Sequence, residues 1–107
     1  MISATPSIYA NKDEQMMYEY TAKEIINNYG NSRNVCMEIG TGPGFLGLQL
    51  THQSNMTIYM IDMKSSALEK AIKNAELFGL KDKINFLQAD VADLPFGDNY
   101  ADLVTIQ

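Results

Sequence analysis

The sequence predicts an α/β fold built on a doubly wound parallel sheet, with about four strands and helices on both faces. Apolar segments of strand length alternate with segments whose apolar residues recur at helical spacing, and a glycine-rich turn joins the first strand to the next helix. Continuous apolar strands are typical of parallel sheets, because helices cover them. We therefore expect the order β, α, β, α, β, loop, β after an initial helix.

The predicted elements follow from periodicity and from helix boundary signals. Four apolar segments are expected to be strands, at 34–39, 56–61, 84–88 and 100–106. Helices are expected at 11–28, at 44–52, and from Ser66 to Gly79. Asn11 with Glu14, and Ser66 with Glu69, form capping-box patterns, whereas Gly79 is a typical C-terminal stop.

We divide the chain into an N-terminal helical cover, 1–33, and a sheet portion, 34–107. The fourth strand is apolar and ends the sequence, whereas complete domains generally cover such a strand. We therefore expect a fragment, truncated to the N-terminal portion of a larger sheet. A second copy of the chain is expected to cover the exposed edge as a homo-oligomer.

Composition excludes several classes of function. The formal net charge of -5 and the pI of about 4.6 leave no basic footprint for a nucleic acid. The single cysteine, Cys36, cannot form an internal disulfide, and no cluster has the spacing of metal ligands. Residues 1–10 lack the features of a signal peptide, and no apolar run reaches membrane-spanning length. We expect a soluble, cytoplasmic protein without a membrane partner or a metal.

The segment 35–45 has the strongest functional signal. It begins as an apolar strand, reaches the carboxylate of Glu38, and then places Gly40, Gly42 and Gly44 at alternate positions before a helix begins. Glycine lets a backbone approach a ligand closely, and the first turn of a helix has N–H groups without intrahelical partners. The turn is therefore predicted to bind a ligand.

Two ligand classes fit a glycine turn after the first strand of such a sheet, namely dinucleotides and S-adenosylmethionine. Gly42, Gly44 and Gly47 form the pattern Gly-x-Gly-x-x-Gly, and Asp62 lies twenty residues beyond Gly42, as in a dinucleotide site. Glu38 favours the other class, since a carboxylate ahead of the turn would repel a pyrophosphate but suits a ligand with an ammonium and a sulfonium.

The motif Leu87-Gln88-Ala89-Asp90-Val91 follows the glycine turn and Asp62 in the sequence. With these motifs, the segment 34–107 resembles the N-terminal half of a class I S-adenosylmethionine-dependent methyltransferase, a family whose sheet is Rossmann-like. The run 93–104 is similar to a subgroup with small-molecule acceptors that includes quinone-biosynthesis enzymes, although Ala101 stands where phenylalanine is usual. No Asn-Pro-Pro-aromatic signature follows the fourth strand, and Gln107 lies at about that place. Methylation of nucleic-acid or glutamine amino groups is therefore disfavoured.

The resemblance implies a set of cofactor-binding residues at the methionine end of S-adenosylmethionine. Gly40, Thr41, Gly42 and Gly44 would hold this end. Glu38 would position the loop and favour the amino group of the cofactor. No metal takes part in this arrangement.

A second set would bind the nucleoside end. Asp62 would accept hydrogen bonds from both ribose hydroxyls, and Met63 would pack on the adenine face. Asp90 would accept from the adenine amine, while the N–H of Val91 would donate to the ring. Gln107, after the fourth strand, is also predicted to bind the cofactor, without an assigned end.

The implied reaction is direct displacement of the methyl group from sulfur by an unidentified, small-molecule acceptor. Holding nucleophile, methyl carbon and sulfur in line in a dry pocket would supply up to ~7 to 11 kcal/mol. The residues indicate no general base, so the catalytic residues stay unknown. Two alternatives stay open: an NAD-type dinucleotide-dependent oxidoreductase, and a non-catalytic cofactor-binding or scaffold member of the same fold.

Overall fold

A computed structural model of the chain describes residues 11–29, 34–94, 97 and 100–106. Its helices are α1 (Lys12–Tyr29), α2 (Phe45–Gln53) and α3 (Ser65–Leu77). Its strands are β1 (Val35–Ile39), β2 (Thr57–Asp62), β3 (Ile84–Gln88) and β4 (Leu103–Ile106), with short 3-10 turns at Lys81–Lys83 and Val91–Asp93. Within these residues, no helix combines the length and the apolar character needed to cross a bilayer.

The four strands form one parallel sheet in the order β3-β2-β1-β4. The chain moves outward from β1 through β2 to β3 and then returns to the other side of β1 to form β4. The predicted element order is confirmed. In open sheets of this kind, ligands bind outside the carboxyl ends of the strands at the point where strand order switches, which here lies between β1 and β4.

All three described helices share one hydrophobic core with one face of the sheet. The strand residues Cys36, Ile58 and Ile84 are register partners, so their side chains point to the same side. Buried side chains of each helix join this cluster, among them Ala22, Leu48 and Ala71. On α1, the ring of Tyr18 meets the ring of Phe45 edge-on at 5.4 Å.

The opposite face of the sheet carries Met37, Ile61, Val104 and Ile106, and no described helix packs on it. We expected helices on both faces. Successive right-handed crossovers in one direction place their helices on the same side, and only the return from β3 to β4 would place one on the other. In the described part of that return, the only helical element is the 3-10 turn Val91–Asp93. Val104 and Ile106 are 50% and 78% exposed, and their coverage by another copy stays a prediction.

The predicted helix signals had mixed outcomes. Asn11 accepts a hydrogen bond from the N–H of Glu14 at 2.8 Å, as its capping pattern predicted. Ser66 does not cap α3, because the helix already begins at Ser65 and its N-cap residue, Lys64, makes no side-chain capping bond. The predicted stop at Gly79 is confirmed by its φ of 70°. The start of the predicted cover, 1–10, lies outside the described residues, and the boundary at residue 33 stays a prediction.

The fourth strand is shorter than its sequence pattern predicts, because a tertiary contact sets its start. The N–H of Asp102 donates to the carbonyl of Val35 at 2.8 Å, and the Asp102 carboxylate accepts from the N–H of Val35 at 2.7 Å. Tyr100 lies before this junction and contacts Tyr59, with 2.9 Å between the two hydroxyl oxygens. Strand propensity alone predicted that β4 begins at residue 100. In the structure, β4 begins at Leu103, where its pairing with β1 starts.

Cys36 is expected to be inert in the folded protein. The side chain is fully buried in β1, and burial together with the nearby charge of Glu38 raises the pKa of the thiol to about 12. Since the thiolate is the reactive form, a thiol-exchange reagent at pH 8 should label the native chain far more slowly than the denatured chain. Equal labelling rates with and without denaturant would contradict this expectation.

Candidate functional site

The turn after β1 has the backbone geometry that glycine provides. Gly40, Gly42 and Gly44 have φ angles of 67°, 53° and 81°, in the left-handed region that residues with a β-carbon rarely adopt. The N–H of Gly44 donates to the carbonyl of Thr41 at 2.9 Å, which closes a tight turn with Pro43 at its third position. The alternate glycines are therefore a requirement of this backbone path.

The carboxyl end of β2 anchors this turn. The N–H groups of Gly40 and Thr41 both donate to the carbonyl of Ile61, at 2.9 and 3.3 Å. The N–H of Gly42 meets no acceptor among the residues that the structure describes. The turn thus leaves a backbone donor available at the edge of the sheet where ligands bind in such folds.

Glu38 is fully buried and caps helix α2 from the preceding strand. One of its carboxylate oxygens accepts from the hydroxyl of Thr41, and the other accepts from the N–H of Gly47 at 3.0 Å. The Gly47 N–H belongs to the first turn of α2, and Gly44, at the N-cap position, has no side chain to cap it. A carboxylate at this end also interacts favourably with the helix dipole.

These contacts give a physical form to the predicted roles of Glu38. Positioning of the loop agrees with the bonds to Thr41 and Gly47. Because Glu38 has no exposed surface, a ligand in solvent cannot touch its carboxylate in this conformation. Its charge can favour a ligand's amino group only through space, and part of that charge is already offset by the helix N-terminus. The described contacts of Glu38 therefore support the turn and the start of α2, and its predicted contact with a cofactor stays a prediction.

Gly47 allows α2 to approach β2 closely. A β-carbon at this position would lie 2.5 Å from the Cε atom of Met60 and 3.0 Å from Oε1 of Glu38. Sequence reasoning placed Gly47 only in the dinucleotide pattern, whose third glycine serves close packing of helix and strand. The structure shows that this packing role is present here, so the local geometry of the turn is compatible with both ligand classes.

Two carboxylates predicted to bind the nucleoside lie at the carboxyl ends of adjacent strands, Asp62 as the last residue of β2 and Asp90 two positions after β3. Oδ1 of Asp62 accepts from the N–H of Lys64 at 2.9 Å, and Oδ1 of Asp90 accepts from the N–H of Ala92 at 3.0 Å. The N–H of Ala89 donates to the carbonyl of Asp62 at 3.2 Å and so joins the two strand ends. In the described part of the chain, the second oxygen of each carboxylate accepts no hydrogen bond and can serve a ligand.

The remaining predicted residues lie at the same edge. Met63 and Val91 are 62% and 56% exposed, and Gln88 donates to the carbonyl of Met63 at 3.3 Å. The N–H of Val91, predicted to donate to the adenine ring, meets no acceptor within the described ranges. Gln107 lies outside the described residues. The other predicted residues all lie at or just beyond the carboxyl ends of β1, β2 and β3; their contacts with a cofactor stay predictions.

Sequence reasoning missed one residue that contacts the turn. The side-chain amide of Asn74, on α3, donates to the carbonyl of Pro43 at 2.8 Å. No motif includes Asn74, and the only local signal is that asparagine is a poor helix former.

Comparison with known proteins places this geometry in a family. Residues 31–107 match a family model described as a methyltransferase domain. A 2-phytyl-1,4-naphtoquinone methyltransferase of Trichormus variabilis is 32% identical over 75 residues, which are 68% of this chain and 33% of that protein. The chain therefore spans about a third of the length of the curated relatives it matches.

Solved structures agree with this assignment. A protein of Methanococcus maripaludis, provisionally assigned as an S-adenosyl-L-methionine-dependent methyltransferase, matches with a TM-score of 0.78 and 38% identity, over 86% of this chain and 42% of that protein. An RNA methyltransferase of Salinibacter ruber, in complex with S-adenosyl-L-homocysteine, has a TM-score of 0.66 and 20% identity, over 92% of this chain and 60% of that protein, and shows the shared fold alone. Because the family model matches more than half of its residues, the chain belongs to the methyltransferase domain family.

Proposed function

We propose that this protein transfers a methyl group from S-adenosylmethionine to a small-molecule acceptor. The observation that carries the proposal is the edge of the sheet at the carboxyl ends of β1, β2 and β3, where a positive-φ glycine turn and two aspartates with available oxygens lie together. Membership of the methyltransferase domain family supports the same reading.

The residues present fit the cofactor. Near the turn, Gly42 offers a backbone donor and no β-carbon, which suits close approach of the methionine end. Asp62 has an oxygen available for the ribose hydroxyls, while the exposed Met63 and the N–H of Val91 suit the adenine ring. When bound, the cofactor would supply a methyl group activated by a positively charged sulfur. The chain's own contribution would be to hold and orient it.

The NAD-type alternative predicts a different ligand for the same turn. Gly42, Gly44 and Gly47 occupy the positions of the dinucleotide pattern, and Gly47 has the corresponding packing contact. The turn by itself therefore does not separate the two cofactors. Family membership favours S-adenosylmethionine. Asp90 favours it as well, because a second carboxylate at this edge of the sheet would repel the anionic pyrophosphate of a dinucleotide.

A small-molecule acceptor is supported by the relatives. One curated relative is named as a naphtoquinone methyltransferase, and the run 93–104 resembles the same subgroup. Direct assay with a panel of reduced quinones and other small nucleophiles would test this part of the proposal. Cofactor binding without transfer to any acceptor would instead favour the non-catalytic alternative.

We also propose a cytoplasmic location. Cys36 is the single cysteine of the sequence and is buried, so the chain has no internal disulfide that would require an oxidising compartment. Fluorescence microscopy of a tagged full-length protein would test this location, and accumulation outside the cytoplasm would contradict it.

Substitution of Asp62 tests the cofactor site directly. Wild-type protein is expected to bind S-adenosylhomocysteine in calorimetry, and Asp62→Ala should weaken that binding about 10- to 100-fold, because hydrogen bonds to a charged group are lost. Asp62→Asn separates the role of this residue as an acceptor for the N–H of Lys64 from its proposed role as a charged acceptor for the ribose hydroxyls. It keeps an oxygen for the N–H of Lys64 but loses the charge and one acceptor.

Asp82→Ala is the matched control. Asp82 is an exposed aspartate in the 3-10 turn before β3, at the opposite end of that strand, so its substitution should leave the affinity unchanged. Absence of wild-type binding at millimolar S-adenosylhomocysteine would overturn the proposal. Binding of NAD in its place would support the oxidoreductase alternative.

A further inference from the structure

We propose that Asn74 of α3 is a positioning residue for the glycine turn, an inference that rests on the cofactor function proposed above. Its side-chain N–H₂ donates to the carbonyl oxygen of Pro43 at 2.8 Å, across 31 positions of sequence. Pro43 lies between Gly42 and Gly44, at the exposed tip of the turn. Asn74 itself would not touch the cofactor, but it would set the orientation of the backbone that does.

The bond from Asn74 holds one end of a peptide unit whose other end is also held. The N–H of Gly44 belongs to the same unit as the Pro43 carbonyl, and it donates to the carbonyl of Thr41 at 2.9 Å. Because a trans peptide is planar, its C=O and N–H point to opposite sides. Rotation of this unit would break both bonds together. The Asn74 bond therefore selects one orientation of the tip among those that flexible glycines permit.

A second contact from the same helix face fixes the distance between α3 and the turn. A β-carbon at Gly44 would lie 3.2 Å from Cβ of the buried Ala71, so the turn and α3 are already close. Ala71 and Asn74 are three positions apart and therefore share a face of the helix. Ala71 limits how near the turn can come, while Asn74 determines which way the Pro43 carbonyl points.

The start of α3 is bound to the other part of the candidate site. Asp62, the proposed ribose ligand, accepts from the N–H of Lys64 at the N-cap of this helix. One helix thus contacts the proposed ribose carboxylate at its N-cap and the proposed methionine-binding turn through Asn74, in its last turn. Fixing both on one rigid element would hold their separation constant, which a ligand that spans them requires. Helix formation does not explain an asparagine here, since alanine would favour the helix more.

The test measures affinity for S-adenosylhomocysteine by calorimetry in three variants. Asn74→Ala should weaken binding about fivefold, the change expected for one net hydrogen bond. Asn74→Asp has the same shape but no donor, and its oxygen would face the Pro43 carbonyl, so we expect at least the same loss. Lys73→Ala changes an exposed neighbour on the same helix and should bind as the wild type does.

A ligand-free measurement separates this inference from the proposed function. Amide hydrogen exchange at Gly44 should accelerate about fivefold in Asn74→Ala, because the tip loses the bond that holds its orientation. The denaturation midpoint should change little, since the higher helix propensity of alanine in α3 offsets much of the lost hydrogen bond. Wild-type exchange at Gly44 in Asn74→Ala would overturn the positioning role, whatever the affinity. If wild-type protein failed to bind S-adenosylhomocysteine, the proposed function would fail, and exchange at Gly44 would still decide how Asn74 acts on the turn.

Discussion

Replacing Glu38 with alanine should lower the free energy of unfolding by about 3 kcal/mol or more, because it leaves buried donors without acceptors at about 1 to 3 kcal/mol each. Those donors are the hydroxyl of Thr41 and the N–H of Gly47. Glu38 is fully buried, so its removal leaves a cavity inside the protein, where bulk water does not reach the two donors. Urea denaturation followed by circular dichroism measures the loss.

Glu38→Gln separates the acceptor role from the charge. The glutamine oxygen can accept from the N–H of Gly47, while its amide can donate to the hydroxyl oxygen of Thr41, which can rotate. This variant keeps an acceptor for the N–H of Gly47 and loses the charge at the start of α2, and we expect a cost of about 0.5 to 2 kcal/mol. Wild-type stability of Glu38→Ala would contradict the capping role. Equal losses in the two variants would assign the effect to charge rather than to unsatisfied donors.

Gly47→Ala should lower the free energy of unfolding by about 1 to 3 kcal/mol through overpacking between α2 and β2. Its β-carbon would lie 2.5 Å from Cε of Met60 and 3.0 Å from Oε1 of Glu38. Both neighbours are fully buried, and Glu38 is held by its bonds, so neither can move freely. The loss is expected although alanine favours a helix over glycine. Denaturant unfolding measures it.

A second substitution tests whether the contact with Met60 is the cause. Met60→Leu conserves volume approximately but removes the Cε atom, so Gly47→Ala should cost less in that background than in the wild type. Gly42→Ala is the matched control for packing, since its added β-carbon meets no atom within 4 Å and only its φ of 53° opposes the change. A fully additive double mutant, or a Gly47→Ala variant as stable as the wild type, would contradict the steric explanation.

Local patterns were sufficient for most of the architecture. The alternation of apolar strands with periodic helices predicted β1 to β3 and α1 to α3 closely, since periodicity depends on neighbouring residues only. The glycine turn and the stop at Gly79 were predictable for the same reason, because a positive φ is a property of one residue. The predicted cap at Ser66 was wrong because α3 already begins at Ser65, so that Lys64 takes the N-cap position without a side-chain hydrogen bond.

For the candidate site, the sequence by itself determined which residues lie at the strand ends: Asp62 as the last residue of β2, Asp90 shortly after β3, and the glycine turn after β1. Tertiary structure alone decided how they are supported. Glu38 meets Gly47, nine positions away, and Asn74 meets Pro43, 31 positions away. Contacts of this kind depend on where the sheet places α2 and α3, and periodicity carries no information about that placement. Strand order also decided that the described helices lie on one face of the sheet. In right-handed crossovers, the direction in which the chain moves along the sheet determines the face on which the connecting helix lies.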